Sequence, residues 1–90
     1  MSAIFVMINC DAGKVIEVKK AIEKLKQADE VHAVTGRYDL VALFKDTNIN
    51  KLLRTVTEKL HAIKGIKSTE TLVSLPEGID EEAPMVSMGG

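Results

Sequence analysis

Apolar and polar residues follow two different periods along this chain, and each period is typical of one kind of element. Short continuous runs of apolar or β-branched residues are typical of strands. Longer segments in which an apolar residue returns every three or four positions are typical of amphipathic helices. The pattern predicts strands at residues 3–9, 31–35, 40–44 and 66–75, and helices at residues 13–28 and 48–63.

Three residues suggest how these elements are joined. Gly36 and Arg37 lie between two strand-like runs, and glycine at the first central position suits a type II′ hairpin turn. Thr47 is the predicted N-cap of the second helix, since a threonine side chain can accept a hydrogen bond from a free backbone N–H. Gly65 is the predicted C-cap of that helix.

The predicted order β-α-β-β-α-β is that of the ferredoxin-like split βαβ arrangement, an α+β fold. Right-handed crossovers then favour one four-stranded antiparallel sheet in the spatial order 4-1-3-2. Both helices are expected on the same face of this sheet.

The second face of that sheet predicts self-association. The two central strands, residues 3–9 and 40–44, are apolar at odd and even positions alike, so we expect both of their faces to be buried. Two helices cover only one face, and monomers rarely expose a large apolar patch. We therefore expect a homodimer that forms through the sheets. The alternative is that the C-terminal tail folds back over this face.

Length and composition indicate one domain followed by a tail. The chain has 90 residues, which suits a single domain, predicted at 1–75. After Pro76 the sequence becomes acidic, and it ends with Pro84 and two terminal glycines. Residues 76–90 are therefore predicted to form a mobile tail.

The charge balance argues against two classes of partner. Twelve basic and thirteen acidic residues give a net charge of −1, and aromatic residues make up only 3% of the chain. Such a chain has no bulk attraction to nucleic acid or to an anionic membrane, and few rings on which bases could stack. No apolar stretch approaches the ~20 residues needed to span a bilayer. We expect neither direct nucleic-acid binding nor membrane insertion.

Cys10 is the only cysteine, which rules out an intramolecular disulfide and a cysteine-based zinc cluster. This usage fits the reducing cytoplasm, and Cys10 itself is expected to be a small buried hydrophobe or an inert surface thiol. No glycine-rich phosphate-binding motif occurs. Neither a cofactor nor a metal is predicted.

Two polar segments, residues 35–39 and 64–71, lie at the same end of the predicted sheet. Asp39 offers a carboxylate to an ammonium group, and Gly36 lets backbone N–H groups approach a ligand. Thr69 and Thr71 share one face of a strand and can donate to a carboxylate. The end of the sheet thus suits a zwitterion. The alternatives remain open that Asp39 only caps the hairpin, that Tyr38 is a packed ring, and that the threonines only favour the strand.

These two segments resemble the effector domain of the Lrp/AsnC family, the feast/famine regulators of bacteria and archaea. The resemblance is carried by residues 34–40, with the pattern Gly-x-aromatic-Asp, and by residues 63–71, with Gly-Ile-x-x-Thr-x-Thr, and it extends over roughly residues 3–75. It implies a domain, also called a RAM domain, that binds a free amino acid between dimers and drives their assembly into octamers or similar rings. The implied ligand-binding residues are Gly36, Tyr38 and Asp39 on one side and Ser68, Thr69 and Thr71 on the other.

The chain departs from the family pattern because it starts directly at the first strand, without a helix-turn-helix. We therefore expect a stand-alone effector domain that is not an enzyme. Direct control of transcription is not expected, because recognition helices are the elements that read bases. A regulatory role would then depend on assembly with full-length relatives.

Two other functions remain possible on the same fold. One is a small enzyme of the dimeric α/β-barrel type, which needs a general base or a haem ligand between sheet and helices; His32 and His61 are the candidates. The other is an assembly module that binds no small ligand. Fold alone does not choose between these functions.

Overall fold

The computed structural model describes residues 2–74 of the chain. Its elements follow the order predicted from the sequence. They are β1 (Ser2–Cys10), α1 (Val15–Glu23), β2 (Ala28–Ala33), β3 (Leu40–Asp46), α2 (Ile49–His61) and β4 (Ile66–Val73).

The four strands form one antiparallel sheet in the order β2-β3-β1-β4, which confirms the predicted topology. Strand β1 lies in the centre, with Ile4 opposite Phe44 on β3 and Phe5 opposite Leu72 on β4. Residues directly opposite each other in a sheet point to the same face. This register therefore assigns every strand residue to one of two faces.

One face carries the core. Alternate residues of β1 and β3 are fully buried, as expected for strands with one face packed against helices. Helix α1 contributes Val18 and Ile22, and α2 contributes the stripe Leu52, Val56 and Leu60. Both helices therefore cover the same face of the sheet, as predicted. We call it the covered face; its fully buried strand residues are Ile4, Val6, Ile8, Leu40, Ala42 and Phe44.

The opposite face is apolar but uncovered by the described residues. We call it the open face and define it by Phe5, Met7, Val41, Leu43 and Leu72, which the register places together. Phe5 is 38% exposed and Leu72 is 46% exposed. Among residues 2–74, the central strands are therefore buried on one face only, and the predicted burial of their second face requires a second copy or the tail.

Helix α1 is shorter than its periodicity predicts. It ends at Glu23 rather than near residue 28, because the Leu25 N–H donates to the Ile22 carbonyl and the Ala28 N–H to the Leu25 carbonyl. These tight turns replace the helical pattern. Leu25 lies in the turn after the helix but still packs against the core. It therefore keeps the apolar spacing of the helix, which is why the periodicity predicts a longer helix.

Helix α2 is capped by Asn48, not by the predicted Thr47. The Asn48 Oδ1 accepts from the Lys51 N–H at 3.0 Å. Thr47 precedes the cap, and its N–H donates to Asp46 Oδ1 at 2.6 Å. The backbone N–H groups of Asn48 and Thr47 lower the pKa of Asp46.

The glycines also differ from the predicted roles. The C-cap of α2 is Ala62, and Gly65 lies in the turn that follows, with φ +100°. A Cβ on Gly65 would lie 3.0 Å from Val18 Cγ2, so this glycine allows β4 to begin close against α1. The link from β2 to β3 spans residues 34–39 and is longer than the two-residue type II′ turn we expected around Gly36.

Two expectations from the sequence concern the C-terminal tail, which residues 2–74 do not include. The predicted mobile tail, residues 76–90, lies outside the described residues, as does the alternative that it covers the open face.

Neither α1 nor α2, the helices of residues 2–74, has the length and apolar character that crossing a bilayer requires.

Candidate functional site

A polar cavity of about 340 Å³ opens at the end of the sheet where β1 ends and β4 begins. Its walls come from the end of β1, the β2–β3 loop and the first half of β4. They carry one cationic group, one carboxylate, three hydroxyl groups and one amide. The lining residues are Asn9, Arg37, Tyr38, Ser68, Thr69 and Glu70.

The register of β4 separates its polar residues between the two faces. Ser68 lies opposite Asn9, and Glu70 lies opposite Met7. The Ser68 and Glu70 side chains therefore point to the open face. Thr69 and Thr71 lie opposite Ile8 and Val6 and point to the helix side. The two threonines share a face as their spacing predicts, whereas Ser68 points to the other side.

Tyr38 connects the β2–β3 loop to β4. Its hydroxyl donates a hydrogen bond to Glu70 Oε1, and this bond raises the pKa of Tyr38. Strands β2 and β4 are opposite edges of the sheet, so the strand order alone does not bring these two segments together. They meet within one chain, because the Tyr38 side chain extends from the loop to β4.

Asp39 holds the loop against the end of β1. Its Oδ2 accepts from the Cys10 N–H at 2.8 Å, and its own N–H donates to the Ile8 carbonyl at 2.9 Å. Its carbonyl accepts from the Val34 N–H at 2.9 Å, which closes the loop. This arrangement supports the alternative in which Asp39 caps the hairpin.

Two neighbours of Asp39 are explained by local structure. Cys10 is 8% exposed, and burial, assisted by Asp39, raises the pKa of its thiol, as expected for a small buried hydrophobe. Gly36 adopts φ +115° with open space around it. The loop therefore needs glycine at this position for its backbone conformation rather than for close packing.

The cavity contains half of the residues that the sequence indicated. Tyr38, Ser68 and Thr69 line it, whereas Gly36, Asp39 and Thr71 do not. The lining residues that sequence reasoning missed are Asn9, Arg37 and Glu70. Two of them had a signal: Asn9 ends the apolar run of β1, and Glu70 follows Ser68 by two residues and so shares its face.

Both histidine side chains are exposed. His32 Nε2 lies 2.8 Å from Glu30 Oε1, and both side chains are exposed on the edge strand β2. His61 is exposed at the end of α2, where it lines a second cavity of about 200 Å³ on the other side of Ser68 and Thr69. Among residues 2–74, no three His, Cys, Asp or Glu side chains cluster as metal ligands.

The βαββαβ order and the single antiparallel sheet define a ferredoxin-like domain, with a polar cavity at one end of the sheet. The family model described as "Lrp/AsnC ligand binding domain" matches residues 3–84. The chain therefore belongs to the Lrp/AsnC family.

One relative is an uncharacterized HTH-type transcriptional regulator of Pyrococcus abyssi, PYRAB01370. It is 33% identical over 69 residues, which cover 77% of this chain and 44% of that protein. The chain thus spans less than half of the length of this curated relative. The family relationship concerns the ligand-binding part of such regulators.

Solved structures show the same fold. TTHA0845 of Thermus thermophilus has a TM-score of 0.78 and 37% identity, covering 84% of this chain and 95% of that one. The transcriptional regulator NMB0573 of Neisseria meningitidis, solved as a complex with L-Met, has a TM-score of 0.71 and 18% identity, covering 86% of this chain and 52% of that one. At 18% identity, the second likeness shows the fold alone.

Proposed function

We propose that the chain binds a free α-amino acid at the polar cavity and that binding controls the assembly of its dimers. One observation carries the proposal: in a member of the Lrp/AsnC ligand-binding family, a cavity with a guanidinium, a carboxylate and hydroxyl groups opens beside an apolar sheet face that residues 2–74 leave uncovered. The cavity suits a zwitterion, and the apolar face suits a second copy.

The open face supports the dimer. It places Phe5, Met7 and Leu43 on the two central strands, where the described residues leave them partly accessible to water. A two-fold pair would set this patch against itself, because the same surface serves both subunits. Sheet packing of this kind removes apolar area from water at roughly 25 cal/mol per Å².

The proposed ligand-binding residues act in two groups. Tyr38, Ser68 and Thr69 line the cavity. Gly36, Asp39 and Thr71 lie beside it: the first two shape the loop, and Thr71 is exposed on the edge strand β4. This exposed edge is accessible to an amino acid that binds at the contact between two dimers. In the proposal, such contacts join the dimers into octamers or similar rings.

We propose further that the protein acts in the cytoplasm and modulates transcription through full-length relatives rather than by binding DNA. The charge balance of the chain supports this, as does the packing of α1 and α2, which both use their apolar stripes to cover the sheet. The proposal assigns no catalytic role to the domain, since the relative from Pyrococcus abyssi is named a transcriptional regulator.

A panel of the twenty L-amino acids, read by thermal melting and native mass spectrometry, tests the proposal. An amino acid at ~100 times its dissociation constant should add about 2.7 kcal/mol of stability per site. For a domain of this size, that shifts the melting temperature by roughly 10 °C or more. L-methionine is the first compound to test, since NMB0573 was solved with it.

The same panel decides between the proposed function and its competitor. Binding should also change the distribution between dimers and larger oligomers. If no amino acid shifts melting or assembly, the ligand-binding proposal is wrong, and the assembly module without a small ligand takes its place.

A further inference from the structure

We propose that Glu70 binds the α-ammonium group and Arg37 the α-carboxylate of the amino acid, while Asp39 positions the loop without touching it. This inference rests on the proposed function, because it assigns the two charges of the ligand within the same cavity. It differs from the expectation drawn from the sequence, in which Asp39 binds the ammonium group.

Two opposite charges lie in one cavity. Arg37 and Glu70 both line it. Among residues 2–74, the ion pairs are Lys14–Glu17, Lys19–Glu23 and His32–Glu30, so Arg37 and Glu70 are not paired with each other. Two opposite charges that share a cavity without neutralising each other match a ligand that carries both charges, as a zwitterion does.

Tyr38 holds Glu70 in place, and among residues 2–74 the second carboxylate oxygen of Glu70 accepts no hydrogen bond. The Tyr38 hydroxyl donates to its Oε1. An ionised carboxylate can accept several hydrogen bonds, so Oε2 can take an N–H of an ammonium group. Tyr38 thereby restricts the Glu70 side chain before the ligand arrives, which reduces the entropy lost on binding.

Asp39 is held by hydrogen bonds outside the cavity. Its Oδ2 already accepts from the Cys10 N–H at 2.8 Å, and the residue does not line the cavity. Its N–H and carbonyl are also bonded, to Ile8 and Val34. Asp39 thus sets the path of the loop that carries Arg37 and Tyr38, which is a positioning role.

The remaining lining groups complete the recognition. Asn9 and Ser68 lie opposite each other in the register, and Thr69 lies next to Ser68. Their hydroxyl and amide groups can donate to a carboxylate or accept from an ammonium group. A cavity of about 340 Å³ is within the size range of small-molecule sites.

Calorimetry with Glu70→Gln tests the ammonium contact. The probes are whichever of the twenty L-amino acids binds the parent chain most tightly and the same acid without its amino group; for leucine, that is 4-methylpentanoic acid. We expect Glu70→Gln to bind the amino acid about 10- to 150-fold more weakly, the range of a charge-assisted hydrogen bond. In this variant, the ratio between the affinities for the two probes should fall by the same factor.

Arg37→Gln tests the carboxylate contact with the matching amino-acid amide, which lacks the charge. The parent chain should prefer the amino acid to its amide, and Arg37→Gln should lose most of that preference. Glu58→Gln removes a carboxylate from the exposed side of α2 and serves as the matched control, with unchanged affinity. Tyr38→Phe should weaken binding less than Glu70→Gln does, while keeping the preference for the amino group.

The outcomes separate the inference from the function on which it rests. If the parent chain binds no amino acid, both fall. If the parent binds one and Glu70→Gln binds it equally well, the ammonium assignment is wrong and the proposed function stands. Asp39→Asn keeps an oxygen acceptor for the Cys10 N–H, so the affinity lost through a displaced loop should be smaller than the affinity lost in Glu70→Gln. If it instead loses more affinity than Glu70→Gln, Asp39 is the ammonium partner.

Discussion

The two faces of the sheet are built from the same strands, yet they have different surroundings. On the covered face, Val6 and Phe44 are fully buried beneath two helices. On the open face, their sequence neighbours Phe5 and Leu43 are equally apolar but partly accessible. Apolar residues on both faces of β1 and β3 indicate that both faces favour burial. The two helices of one chain cover only one of these faces.

The largest expected effect comes from the covered face. Phe44→Ala should lower the free energy of unfolding by about 3–5 kcal/mol, because it removes a fully buried ring and leaves a cavity. That is a large part of the ~5–15 kcal/mol typical of a domain. Urea denaturation measures it.

Phe5→Ala is the matched control, since it removes the same ring from the open face. Its effect should depend on protein concentration, as expected where burial is supplied by a partner, whereas the effect of Phe44→Ala should not. Equal, concentration-independent losses for both variants would contradict the comparison.

The second effect concerns assembly. Leu43→Glu places a charge in the centre of the open face and should raise the dissociation constant of the dimer about 30-fold or more, the cost of removing a central interface residue. Sedimentation equilibrium measures it. Gln27→Glu adds the same charge in an exposed turn and should leave the dimer intact. A Leu43→Glu chain that remains dimeric at micromolar concentration would show that the open face is not the interface.

A third prediction concerns how the covered face is closed. Gly65→Ala should cost roughly 1–3 kcal/mol, since alanine is strained at φ +100° and its Cβ would lie 3.0 Å from Val18 Cγ2. Thermal melting measures it. Gly13→Ala has φ +79° with open space around the new methyl group, so it isolates the backbone strain. A Gly65→Ala chain that melts no lower than Gly13→Ala would show that close packing at Gly65 is unimportant.

The smallest effect concerns the helix that covers β3. Asn48→Ala should cost about 1 kcal/mol, because the Lys51 N–H loses its side-chain acceptor. Thr47→Ala should cost less, since the Thr47 backbone N–H that donates to Asp46 remains. Chemical denaturation of both variants checks the order, and the reverse order would restore Thr47 as the cap.

The ends of elements were harder to predict than their order. Leu25 kept the helical spacing of α1 although tight turns had already ended the helix at Glu23. Thr47 and Asn48 are adjacent, and both residue types suit an N-cap. Asn48 is the cap, because its side chain accepts a hydrogen bond from the Lys51 N–H. Such boundaries depend on one or two hydrogen bonds, which periodicity does not register.

The candidate site shows the same limit. The sequence indicated both polar segments and three of the lining residues, because Tyr38, Ser68 and Thr69 lie where a loop and a strand meet one end of the sheet. It did not single out Arg37 or Glu70, although the spacing from Ser68 places Glu70 on the same strand face; the fold brings both charges into one cavity.

The sequence by itself determined the element order, the topology of the sheet and the apolar character of both sheet faces, because each depends on residue types and their local period. The tertiary structure decided which polar groups meet. Tyr38 contacts Glu70 across a separation of 32 residues, and Asp39 contacts Cys10 across 29. These contacts depend on the path of the β2–β3 loop and on the position of β4 beside β1. Both follow from the packing of the whole domain, so no local pattern contains them.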